Sequence, residues 1–181
     1  MRGIARLFSI SRCTFSGWIK EYVRSLPDLA DTLLPVQPGD VLEYDEMWSF
    51  VLRKVDKRWL WTVICRRTRQ ILAFVIGDRS EKSCQRLWNR IPLQYRNCLS
   101  YSDFWQAYQK VLPKDRHTSV GKESGQTNHM ERWYCTIRQK QARFVRKTLS
   151  FSKTDSFHNM VTKWYVTEHN LHRKELLSPL T

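Results

Sequence analysis

Acidic residues are scarce in this chain: 17 Asp and Glu stand against 31 Lys and Arg, a formal charge of +14 over 181 residues. That imbalance does not choose a fold. It favours a polyanionic partner, because every phosphate neutralised releases condensed counterions. Metal-binding cysteine spacing is missing as well. Cys13, Cys65, Cys84, Cys98 and Cys135 form no CxxC pair, and none stands at ligand spacing from a histidine, which argues against a zinc site. Their odd count and scatter suit reduced thiols. Every apolar run is interrupted by Arg, Lys or Asp short of membrane-spanning length, and the start, MRGIARLFSISR, has no signal-peptide core. The expectation is a cytoplasmic protein without membrane segments. Internal repeats and low-complexity stretches are absent too. The 41% of hydrophobic residues is enough for a packed core, so global disorder is excluded.

Residues 1–26 mix polar and apolar residues at helical spacing. Pro27, Pro35, Pro38 and Gly39 mark 27–40 as a linker. Three β-branched and aromatic runs follow, Val41–Val51, Arg58–Arg66 and Gln70–Gly77, separated by short charged turns. They predict an antiparallel meander. Ser80 caps a helix carrying Leu87, Trp88 and Ile91, which Pro92 stops. Asn97–Ser102 reads as a short strand, Phe104–Leu112 as a brief helix and His117–Val120 as a fifth strand. A long helix is predicted from Thr127 to about Arg146, and a last one over Asp155–Lys174. The order is β-β-β-α-β-α-β-α: an α/β domain over 41–175 with a mixed five-stranded sheet flanked by helices.

Acids placed inside apolar strands carry most of the chemistry. Asp45 and Glu46 are adjacent in VLEYDEMWSF, so a pleated strand points them to opposite faces. Glu46 reads as an exposed edge-strand acid. Asp103 ends the fourth strand, where a lone Asp also suits a helix cap. Glu131 lies in NHMERWYCTIR, and Asn128, Glu131, Cys135 and Arg138 share one helical face. Asp45, Asp103 and Glu131, arriving from two strands and a late helix, form an oxygen-only donor set for hard cations such as Mg²⁺. Two such ions clamp the attacking and leaving oxygens of an in-line phosphoryl displacement.

Four motifs carry a family resemblance: DEMW at Asp45–Trp48, SDFWQAY at Ser102–Tyr108, NHMERWYCTIR at Asn128–Arg138, and RKTLSFSK at Arg146–Lys153 followed by His158 and NMVTKWY. Their order and spacing over residues 38–170 resemble the second reading frame of the insertion-sequence-one transposases, DDE enzymes of ribonuclease-H-like fold. The resemblance implies a catalytic triad of Asp45, Asp103 and Glu131 holding two Mg²⁺ or Mn²⁺ ions, with Asn128 and Arg138 as auxiliary residues. It implies strand cleavage and transfer on double-stranded DNA, at element ends and target, by a homo-oligomer in the nucleoid. The stretch Lys114–Thr127, with GKESG inside it, is longer than the family's usual one.

Between Arg132 and Lys174 the only acids are Asp155 and Glu168, so Arg143, Arg146 and Lys147 are expected to meet DNA phosphates. GIARLFSISRCTFSGWIK resembles the last two helices of a helix-turn-helix. Ile4, Ala5 and Phe8 would face its core, Ser9 would take the turn and Ser11 would cap. Arg12, Thr14 and Lys20 would meet DNA, while Trp18 and Ile19 pack inward. The motif is partial, and the family resemblance implies an upstream frame, joined by frameshifting, that carries a zinc-binding DNA reader. Two other readings use the same charge: an inactive DNA-binding regulator or decayed fragment, and a cellular nuclease of this fold. Only an enzyme needs Asp45, Asp103 and Glu131 together.

Overall fold

A computed structural model describes residues 2–178; Met1, the first residue of the expected N-terminal segment, lies outside them. Three strands, β1 (Val41–Phe50), β2 (Lys57–Cys65) and β3 (Ile71–Gly77), pair antiparallel across short turns. The turns use left-handed residues, Leu52 at φ 65° and Arg69 at φ 60°. Helix α3 (Glu81–Arg90), capped by Ser80, then carries the chain to the far side of β1. There β4 (Leu99–Ser102) pairs with β1 in parallel, as a crossover helix permits and a tight hairpin does not. A second crossover, α4 (Gln106–Val111), brings β5 (His117–Ser119) parallel to β4. The order β3-β2-β1-β4-β5 is the mixed sheet of the ribonuclease-H-like fold expected from the sequence.

β1 is therefore central, and both its faces are covered. Leu42 and Tyr44 pack with Leu87, Ile91, Tyr95 and Tyr108 on the α3–α4 side. Met47 joins Met130, Trp133, Ile137, Phe144 and Val166 on the other, beneath α5 (Asn128–Lys140) and α6 (Asp155–Leu177). Helix α5 stops at Lys140 rather than running to Arg146. Gln141 turns extended, at φ −125° and ψ 95°, and a 3-10 turn at Ala142–Phe144 drives Phe144 into this core. Likewise α4 starts at Gln106, not Phe104, because an Asp103 carboxylate oxygen takes the Trp105 N–H at 3.0 Å.

The 27–40 stretch is laced to the domain although its composition reads as a linker. Thr32 is fully buried, and the Gln70 amide donates to the Thr32 carbonyl at 2.8 Å. Two short helices precede it, α1 (Arg2–Leu7) and α2 (Arg12–Ser25). Ser9 turns the chain at φ 52°, and the Ser11 hydroxyl accepts the Thr14 N–H. Their packing departs from expectation. Ala5 is buried, but Ile4, Phe8 and Trp18 are 44%, 66% and 54% exposed. The reason is that α2 docks on α6 through Tyr22, whose ring meets Trp164 edge-on and whose hydroxyl donates to Glu168. No helix among the described residues is long and apolar enough to cross a membrane.

His158 ties the segment before α6 to β1. Fully buried, it lies 2.9 Å from the Ser49 and Ser152 hydroxyls, one at each ring nitrogen. Burial, with the Arg143 charge nearby, holds its pKa down at about 4 against an ordinary 6.5. The folded state therefore favours the neutral ring. Stability is full above 6.5, and on the order of 3 kcal/mol drains away as pH falls from 6.5 to about 4. Thermal midpoints measured across that window should fall for the wild type, and a His158→Asn chain, less stable at neutral pH, should lack that share of the slope. Parallel pH profiles would show that His158 is not the group responsible.

Candidate active site

The central strand organises the candidate site by its alternation. Glu43, Asp45, Met47 and Ser49 face α5 and α6, while Tyr44 and Glu46 face α3 and α4. Asp45 sits mid-strand opposite Thr62, with its carboxylate accepting the Glu46 N–H at 2.7 Å. Its carboxyl is recessed although the residue keeps some exposure. Desolvation, reinforced by the charges of Glu46, Asp103 and Glu131, pushes its pKa up to about 8. The carboxyls that the sequence singles out are thus electrostatic neighbours. A hard cation would offset the cost of a charge at Asp45, and all the donor atoms are oxygen. Among the described residues, however, no three His, Cys, Asp or Glu gather about one point. Asp103, half-buried at the end of β4, opens on a recess of ≈ 300 Å³ lined also by Val120, Gly121 and Lys122.

Glu43 was not a sequence candidate, yet it is fully buried and takes four hydrogen bonds. The N–H groups of His129 and Met130 reach one oxygen at 3.0 and 3.1 Å, and the His129 ring and Arg66 Nε reach the other. A carboxylate at a helix N-terminus satisfies free N–H groups and complements the helix dipole. One turn further on, the Tyr134 hydroxyl donates to the Asp45 carbonyl at 2.7 Å. Helix α5 is therefore pinned to β1 on both sides of Glu131. The available signal was parity: Glu43 lies two residues before Asp45 and so shares its face.

Glu46 corrects the expectation of an exposed edge acid. β1 is not an edge, and Glu46 is 8% exposed. It accepts the Tyr108 hydroxyl at 2.7 Å and Arg79 at 2.6 and 2.8 Å. The Arg79 guanidinium lies between Trp59 and Trp105, 4.5 and 4.0 Å from the ring centres. Since the Trp105 backbone N–H is held by Asp103, Glu46 steadies the β4–α4 junction much as Glu43 steadies α5.

The auxiliary and basic residues lie apart from this carboxylate group in part. Asn128 opens α5 and is exposed. Arg138 makes no ion pair among the described residues, and its Nε is buried without a hydrogen-bond partner. Arg143 donates to Ser152 at 3.0 Å, Arg146 stacks on Trp48 and Lys147 is exposed. Arg12, Thr14 and Lys20 are exposed on α2.

This arrangement of strands and motifs matches a known family over most of its length: the IS1 transposase profile covers residues 41–172. The chain belongs to the IS1 transposase family. It is 33% identical over 129 residues to the insertion element iso-IS1n protein InsB of Shigella dysenteriae, spanning 71% of this chain and 95% of that one. It is also 33% identical over 135 residues to the IS1 4 protein InsB of Escherichia coli strain K12, spanning 72% and 78%. The catalytic core of an HTLV-2 integrase, solved with magnesium in a trimeric form, aligns at a TM-score of 0.37 and 7% identity. That alignment covers 76% of this chain and 86% of that one, a likeness too slight to bear on the site. As an IS1-family transposase, the protein belongs to the polynucleotidyl transferases.

Proposed function

We propose that this transposase cuts and joins DNA at insertion-element ends by a DDE mechanism, with Asp45, Asp103 and Glu131 as the carboxylates that hold two divalent ions. The observation that supports the proposal is the placement of Asp45 midway along β1, with Asp103 just past the neighbouring strand β4 and Glu131 on α5, which Tyr134 pins to the Asp45 carbonyl. Such ions, when bound, stabilise charge on the attacking and leaving oxygens. Each takes only one or two protein carboxylates, with waters and substrate phosphate completing its shell, so a three-acid ring about one point is not required. The chain's own residues do the rest. β1, the end of β4 and α5 orient the three carboxylates, while the unpartnered Arg138 guanidinium binds a phosphate of the reacting strand. A water or a 3′-hydroxyl attacks the phosphodiester in line, and the departing 3′-oxygen leaves with its electron pair. The test is single substitution of the three carboxylates, with duplex binding and strand joining measured on the same preparations.

Residues 41–175 form the catalytic domain in this reading, and α1–α2 belong to a helix-turn-helix reader carrying Arg12, Thr14 and Lys20. DNA phosphates also meet Arg146 and Lys147 beyond α5. Log affinity falls by about 0.9 per phosphate contact for each log unit of salt. Neutralising Arg146 and Lys147 together is therefore expected to make the salt slope of duplex binding shallower by about 2. An unaltered slope would place the DNA elsewhere.

A further inference from the structure

A groove of ≈ 930 Å³ lies between α2, the segment before α6 and the first turns of α6. Its walls carry five cations: Lys20 and Arg24 from α2, then Arg143, Lys153 and Lys163. No Asp or Glu lines it, and among the described residues none of the five forms an ion pair. The acids nearest in sequence are not part of the wall: Glu21, next to Lys20, does not line it, and Asp155 is held by Arg58 at 2.7 and 3.0 Å. Ser16, Ser150 and Ser156 add hydroxyl donors.

The floor of the groove is fixed. Arg143 is tied to Ser152, Ser152 to the buried His158, and the Ser152 carbonyl takes the Leu52 N–H at 2.8 Å. Two rings underlie two of the cations: Phe151 lies 3.9 Å from the Lys153 ammonium, and Phe157 lies 5.4 Å from the Arg143 guanidinium. Concentrated positive charge without counter-charge, on a concave and rigid surface, attracts a polyanion that can thread along it. Cations spread along both walls suit a linear array of phosphates better than one small anion.

We infer that this groove binds the sugar–phosphate backbone of duplex DNA without regard to base sequence. The inference rests on the proposed action on DNA and adds a second contact surface to it. It gives Lys20 of the reader helix a phosphate contact, since its side chain lines the groove together with α6.

The test uses the full chain and two duplexes, one of mixed sequence and one bearing an element end, between about 50 and 200 mM salt. The variant is Lys20→Gln/Lys153→Gln/Lys163→Gln. The control is Lys82→Gln/Arg86→Gln/Lys114→Gln, which removes equal charge from exposed positions outside the groove. Thermal melting verifies that both fold. The groove variant is expected to show a salt slope shallower by about 2–3 on both duplexes, with the control unchanged. An unchanged slope, or equal flattening by the control, overturns the groove. Weakening confined to the element-end duplex overturns it too, in favour of sequence reading. A wild-type chain that binds neither duplex at low salt overturns the action on DNA together with the groove, so the two failures are distinguishable.

Discussion

An Asp45→Asn chain is expected to join strands about 10³-fold more slowly than the wild type while holding duplex DNA as tightly. The substitution keeps the shape of the side chain and removes the charge that would hold divalent ions. Losing about 4 kcal/mol of charge stabilisation at the reacting oxygens slows the step by about 10³-fold. Asp103→Ala and Glu131→Ala should do the same, because in the proposed triad the three act as one unit and their losses do not add. A separate readout guards against simple unfolding. Where Asp45 sits, a carboxylate is desolvated and faces Asp103 and Glu131, so a neutral amide removes a cost. The metal-free Asp45→Asn chain should melt no lower than the wild type. An Asp103→Ala chain that joins strands at the wild-type rate would sink the triad.

Removing Glu43 is expected to have the largest effect on stability. Its carboxylate is fully buried and is the common acceptor for Arg66, His129 and the start of α5. In Glu43→Ala the guanidinium loses its counter-charge and two helix N–H groups lose their acceptor. Breaking a buried pair costs about 3 kcal/mol or more, and Arg66, still partly in water, keeps this at the lower end. For a chain of this size that is about 6–12 °C in thermal midpoint. Glu43→Gln keeps the bulk and one acceptor, so it should lose about half as much. Joining should fall further than folding accounts for, since Glu131 rides on the helix that Glu43 anchors. The comparison is joining per folded molecule, at a temperature where both variants are native. A Glu43→Ala midpoint within 1 °C or so of wild type would mean the four bonds contribute nothing net.

The meander and the two crossovers were legible because their causes are local. Apolar and β-branched runs alternate with charged turns, Ser80 caps α3, and Pro92 follows it. Asp45, Asp103 and Glu131 stood out as candidates because a carboxylate at such places is expensive without a purpose. What escaped the sequence depends on residues far along the chain. Glu46 is buried only because Arg79 and Tyr108 meet it, 33 and 62 positions away. α5 ends at Lys140 because Phe144 finds a core made by β1 and α6, while the preceding residues retain helical periodicity. The exposure of Ile4, Phe8 and Trp18 follows from how α2 lies on α6, a contact that no spacing within the helices reports.

The alternation of β1 has a consequence for how such a strand can vary. Positions along it are assigned to unlike tasks: Glu43 to α5, Asp45 to the proposed reaction, Glu46 to the β4–α4 junction, and Ser49 to His158. A single inserted or deleted residue near its start would turn each of these side chains to the wrong face at once. No single compensating substitution could undo that. Length changes should therefore be confined to the turns at either end of the strand, whereas within it only exchanges that keep the count of residues are tolerable.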